Sequence, residues 1–123
     1  MRSVALPIAL ALLSFASAAQ AHPKLVSASP SPNATVTKPA RIALQFSEKL
    51  MPKFSGADVM MTGHGGTTHP PMKVAATAEI APDGRTLVIV PKSPLGAGRY
   101  SVAWHIVSAD THRVSGNFAF AVK

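Results

Sequence analysis

The sequence contains no cysteine. No disulfide can staple the fold, and any metal site must be built from nitrogen, oxygen and thioether donors. Acidic residues are scarce as well: five Asp and Glu stand against twelve Lys and Arg, for a formal charge of +7. Apart from Arg2, the basic residues are scattered from Lys24 to Lys123, with no run and no interleaved aromatics. That pattern argues for a solvated basic surface and against a nucleic-acid partner. Only one long apolar run exists, from Val4 to Ala18. It is too short, and too closely followed by a cleavage signal, to read as a membrane span. Beyond it no stretch keeps an apolar period of 3.6, so an amphipathic helix is not expected.

What is present begins with an export signal. Arg2 supplies the positive charge, the apolar run follows, and Ala19-Gln20-Ala21 puts small residues where signal peptidase reads. Residues 1–21 are therefore expected to be removed, leaving residues 22–123 as one domain in the periplasm or cell exterior. A mature chain of this size can bury a real core. It is expected to be a soluble monomer with no membrane insertion.

Cleavage after Ala21 has a chemical consequence. It would leave His22 first, with two nitrogens able to hold one metal: the free α-amine and ring Nδ1, closing a six-membered chelate ring. Pro23 follows, and its tertiary amide has no N–H to deprotonate. The metal therefore cannot run on into the backbone, and side chains from elsewhere must complete the site. Taken alone, a terminal histidine is more often just the residue the peptidase left.

The strand signals are short and frequent. Leu25–Ser29 reads as a strand, and Pro30, Pro32 and Asn33 as a turn. Arg41–Ser47 alternates, with Ile42, Leu44 and Phe46 on one face. Pro52 argues against a strand through its neighbourhood. Ala57–Thr62 can form a strand, with Met60 and Met61 on opposite faces. Gly63–Met72 reads as a loop by composition. Val74–Ile80 is a strand candidate, and Pro82–Arg85 a turn. Leu87–Val90 is apolar enough to be buried on both faces. Arg99–Val107 is the strongest strand, with Tyr100, Val102, Trp104 and Ile106 alternating inward. A loop over Ser108–Val114 follows, then a strand over Asn117–Val122 with Phe118, Phe120 and Val122 inward. About seven strands with regular turns predict an all-β, antiparallel two-sheet sandwich.

Three constellations could carry chemistry. Asp110-Thr111-His112 is a D-x-H in the loop before the last strand. In extended backbone, residues i and i+2 share a face, so both side chains could reach one ion. Imidazole suits Cu(II), and a carboxylate adds a charged oxygen. The plainer reading is an aspartate capping the loop beside an exposed histidine. Glu48, at the end of the Ile42–Phe46 strand, is the second; alone it reads as a surface carboxylate beside Lys49. The third is a cluster of Met51, Met60, Met61, His64, His69 and Met72. Thioethers favour Cu(I), and a Gly-rich loop lets them converge, but methionine also fills cores. His105, opposite Trp104 in its strand, reads as an exposed or structurally bonded histidine.

With these residues assembled, the chain resembles the CopC family of periplasmic copper-binding and copper-resistance proteins. The carriers are the His22-Pro23 start, Leu44-Gln45-Phe46-Ser47-Glu48, Gly98–Trp104, and Val107-Ser108-Ala109-Asp110-Thr111-His112 with Gly116 downstream. The resemblance implies a seven-stranded Greek-key, immunoglobulin-like sandwich. It also implies a Cu(II) site from the terminal amine and ring of His22, the ring of His112 and the carboxylate of Asp110, with Glu48 as an added carboxylate in some members. Some members carry a second, Met-rich Cu(I) site; here Met61, His69 and Met72 fall at its positions, while His64 and Thr67 replace methionine. The implied role is copper resistance, buffering, or delivery to a CopD-type inner-membrane copper transporter.

Two rival functions follow from the same residues. A histidine brace on a β-sandwich also occurs in lytic polysaccharide monooxygenases, which are copper-dependent oxidative enzymes. Against that stand the short chain, the lack of an aromatic platform for a polysaccharide, and a carboxylate beside the second histidine. A metal-free adhesion or interaction module must treat the His22 start and the D-x-H as coincidence. The sequence reading is therefore a copper carrier and not an enzyme.

Overall fold

A computed structural model of the protein describes residues 22–123. The expected signal peptide, residues 1–21, lies outside them. Nine strands occur in the described residues: β1 (Leu25–Ser29), β2 (Thr35–Val36), β3 (Ile42–Phe46), β4 (Gly56–His64), β5 (Thr67–Val74), β6 (Ala76–Ile80), β7 (Thr86–Pro91), β8 (Gly98–Val107) and β9 (Arg113–Val122). A short 3-10 turn, Pro52–Phe54, is the only helical piece among them. The strands form a four-stranded sheet in the order β1-β3-β7-β6 and a five-stranded sheet in the order β2-β9-β8-β4-β5. All pairings are antiparallel except β2 with β9.

The core lies between the sheets and follows the period-2 rule. Ile42, Leu44 and Phe46 of β3 and Leu87 and Ile89 of β7 are buried from one side. Tyr100, Val102, Trp104 and Ile106 of β8 meet them from the other. Trp104 packs edge-on against Phe46, with ring centroids 5.1 Å apart. Tyr100 stacks on Phe120 at 5.6 Å and donates its hydroxyl to Gly96 O. Phe54 is the aromatic exception, half exposed on the 3-10 turn.

The two-sheet sandwich is as expected, with two strands more than the expected seven. Gly63–Met72 is not a loop. β4 runs to His64 and turns through Gly65-Gly66, both at positive φ, into β5. Of Pro70 and Pro71, one can turn its missing N–H to the unpaired side of this edge strand, and both lie where the β4–β5 register shifts between Met61–Met72 and Gly63–Thr68. Val74–Ile80 is not one strand either. At Ala75 the chain leaves the five-stranded sheet and enters the four-stranded one. The expected double burial of Leu87–Val90 is also corrected: Val88 is half-buried and Val90 is 45% exposed, because only one face of β7 meets the other sheet. The loop after β8 is shorter than expected, since β9 already begins at Arg113.

Gly116 shows why a glycine sits in the middle of β9. It pairs with Trp104, and a Cβ built on it would lie 2.5 Å from the indole Cζ2 and 2.8 Å from Cε2. The indole occupies the space that any side chain would need.

Candidate metal centre

Three backbone segments meet at the end of the sandwich where β8 finishes. Ser47 N–H donates to Lys24 O at 2.9 Å, and Lys24 N–H donates to the Ser47 hydroxyl at 2.9 Å. This clasp fixes the entry to β1 beside the exit of β3. Pro23 is buried there, while His22 is exposed. Directly after β3, Glu48-Lys49-Leu50 runs along the turn that follows β8. Ala109 N–H donates to Lys49 O at 2.8 Å, Leu50 bridges to Ser108, and Met51 N–H donates to Val107 O at 2.8 Å.

The turn carries Asp110 and His112, but not by the extended geometry expected from their spacing. Thr111 has φ of 73°, and its N–H donates to Ser108 O at 2.8 Å. Ser108 N–H in turn donates to His112 O at 2.9 Å. The segment is a tight turn, and its reversal at Thr111 is what brings the two side chains to one side. A β-branched residue held at positive φ is strained by about 1–3 kcal/mol, and such strain gathers at functional sites.

His112 Nδ1 lies 3.1 Å from Asp110 Oδ2. Nδ1 is buried and has no hydrogen-bond partner of good geometry. Two donors bound cis to one ion, each about 2 Å from it, stand roughly 2.8–3.0 Å apart. The observed separation fits two ligand atoms facing a common point. The other carboxylate oxygen, Oδ1, accepts a short hydrogen bond from the Ser108 hydroxyl. That bond, and secondarily the His112 ring, holds the Asp110 carboxyl below the usual carboxylate range. The carboxylate is thus ionised at any pH at which a histidine is neutral.

The His22 and His112 rings stand edge-to-face with centroids 5.6 Å apart. Two imidazoles sharing an ion about 2 Å from each nitrogen have centres roughly 4.5–6.5 Å apart. The structure therefore sets His112 beside both His22 and Asp110. Glu48 is half-buried in the segment running between His22 and the turn, so its backbone belongs to the same end. Among the described residues, no three His, Asp or Glu side chains already stand close enough to cage an ion.

The second candidate set is at the other end of β8. Arg99 near its start pairs with Gly63, while the metal turn follows its last residue, so about 30 Å separates them at roughly 3.3 Å per residue. Met61 and Met72 are direct cross-strand partners. Met61 packs against the core, and Met72 is 61% exposed. His64 pairs with Thr67 at the hairpin tip, and His69 Nδ1 lies 2.8 Å from Pro70 O. The strand pairing sets Met61 opposite Met72 and His64 opposite Thr67.

Sequence reasoning gave no role to Ser108, although it stands two residues before Asp110. The signal available was a serine two residues before an aspartate, close enough for its hydroxyl to reach the carboxylate.

The described residues thus form a two-sheet β-sandwich with imidazole and carboxylate side chains at one end. The CopC domain profile matches residues 25–123, and the chain belongs to the CopC family. It is 50% identical over 123 residues to Copper resistance protein C of Xanthomonas campestris pv. juglandis, covering 99% of this chain and 97% of that one. It is 46% identical over 113 residues to Copper resistance protein C of Escherichia coli, covering 91% and 90%. Among solved structures, PcoC, a methionine-rich copper resistance protein from Escherichia coli, superposes with a TM-score of 0.77 at 48% identity, covering 84% of this chain and all of that one. CopC from Methylosinus trichosporium gives 0.66 at 28% identity, covering 83% and 94%. CopC proteins are copper-binding and non-enzymatic, so the oxidative-enzyme and metal-free adhesion readings both give way.

Proposed function

We propose that the mature chain, beginning at His22, holds one Cu(II) in the periplasm for copper resistance. The ligands are the α-amine and ring of His22, the ring of His112 and Oδ2 of Asp110, with Glu48 available as a further carboxylate. The observation that carries this reading is the unbonded, buried Nδ1 of His112, 3.1 Å from Asp110 Oδ2, on a ring whose centroid lies 5.6 Å from that of His22. Nitrogen donors joined by a carboxylate oxygen suit tetragonal Cu(II). No helix among the described residues is long and apolar enough to cross a membrane. Within this reading, copper would be delivered by handover to a membrane protein such as a CopD-type transporter. Retaining one residue before His22 turns the amine into an amide. Competition titration of that longer chain should show Cu(II) affinity lower by more than about 100-fold, since loss of a ligand exceeds the 10–100-fold cost of losing a supporting partner. Equal affinity would remove the terminal amine from the site.

The pairing of Met61 with Met72 supports a second, softer site for Cu(I), with His64 and His69 of the same hairpin as candidate imidazole donors. Replacing both methionines by leucine should reduce Cu(I) retention and leave Cu(II) binding at the other end untouched. Unchanged Cu(I) binding would assign the pair to packing alone.

A further inference from the structure

Ser108 is the only polar side chain fully buried among the described residues. A buried hydroxyl is costly unless it is bonded. Its backbone already satisfies the strand bridge to Leu50 and the bond to His112 O, so nothing in the sandwich requires an oxygen at this position. The hydroxyl instead serves the two residues of the turn. Its oxygen accepts from His112 N–H at 3.2 Å, and its single proton goes to Asp110 Oδ1. The His112 carbonyl, at 3.4 Å, is the poorer acceptor. One carboxylate oxygen is thereby occupied, and the other is left facing His112 Nδ1.

We infer that Ser108 is a positioning residue for the metal ligands: it ties down Oδ1 so that Asp110 offers a single oxygen, and it fixes the backbone from which His112 projects. The inference rests on the Cu(II) site proposed above. It deepens that site by fixing how its carboxylate binds. A carboxylate with both oxygens free can rotate or clamp an ion with both. One held by a buried hydroxyl presents one oxygen in one direction, which suits a cis position beside an imidazole. Supporting hydrogen bonds of this kind tune metal affinity.

The test uses chains beginning at His22 and reads Cu(II) affinity by competition and Cu(II) coordination by electron paramagnetic resonance. The unaltered chain comes first. If it binds no Cu(II), the site itself fails, and Ser108 with it. If it binds, Ser108→Ala should weaken binding by about tenfold and change the spectrum, while Ser108→Thr, which keeps the hydroxyl, should restore both. On an Asp110→Ala background, Ser108→Ala should cost less than about twofold, because the residue acts through the missing carboxylate. Three results overturn the inference while leaving the Cu(II) site standing. One is a Ser108→Ala chain with native affinity and spectrum. Another is the same tenfold loss without Asp110. The third is a Ser108→Ala or Ser108→Thr chain that does not fold, which would make Ser108 part of the sandwich rather than of the site.

Discussion

Replacing Gly116 by alanine should destabilise the sandwich through a single contact. The new Cβ would start 2.5 Å from Cζ2 and 2.8 Å from Cε2 of Trp104. Neither atom can swing away easily, because the indole is 8% exposed and is pinned against Phe46. Relief requires either the indole to shift off Phe46 or β9 to separate from β8 at the Trp104–Gly116 pair. Overpacking of this kind costs about 1–3 kcal/mol. For a domain near one hundred residues, that corresponds to a fall in Tm of roughly 5–20 °C. Trp104 is the chain's only tryptophan, so urea unfolding followed by its emission reports directly on the residue that is displaced. A lower midpoint with an unchanged slope is expected, together with red-shifted native emission as the ring is pushed toward water. A midpoint equal to that of the unaltered protein would mean that the close approach of ring and strand is not a real constraint.

Two further outcomes concern the metal end. His112→Ala should weaken Cu(II) binding by more than about 100-fold while leaving the circular dichroism of the sandwich intact, since His112 lies in the turn and not in the core; unchanged affinity would exclude it as a ligand. Cu(II) binding should fall as pH drops through the range in which free amines and imidazoles protonate, about 8 down to about 6. Asp110 should not be the group that lets go first, because its carboxyl is held below the usual range by Ser108. Its lowered pKa works in one direction on the metal-free fold. The stabilisation is present above the unfolded value of about 3.9 and is lost only as pH falls through the lower folded one. Acid unfolding of the metal-free chain that shifts toward lower pH in Asp110→Asn would contradict that sign.

The strands that the sequence reveals are those with one wet and one dry face. β3 and β8 alternate cleanly because each buries one face against the opposing sheet. β5 was hidden because an edge strand with a register shift in its ladder can hold Pro70, Pro71 and His69 without an apolar pattern. The early start of β9 was hidden by Gly116, whose inward place is filled by the Trp104 ring rather than by its own side chain. The break at Ala75 leaves no mark on a run of small residues, since both halves are extended and differ only in which sheet they join. At the metal end, residue types and order pointed to His22, Asp110 and His112, and the fold sets His112 beside the other two. The reason for their convergence was not legible: it lies in a positive φ at Thr111 and in the hydroxyl of Ser108, and neither follows from a D-x-H spacing.

The most direct measurement is the intact mass of the exported protein under native conditions, read together with its copper content. The expected mass is that of residues 22–123 with one Cu(II) retained, and removal of the copper should leave a chain whose first residue is His22. A native chain that begins at any other residue yet holds the same Cu(II) equally tightly would contradict a site built on the histidine terminus.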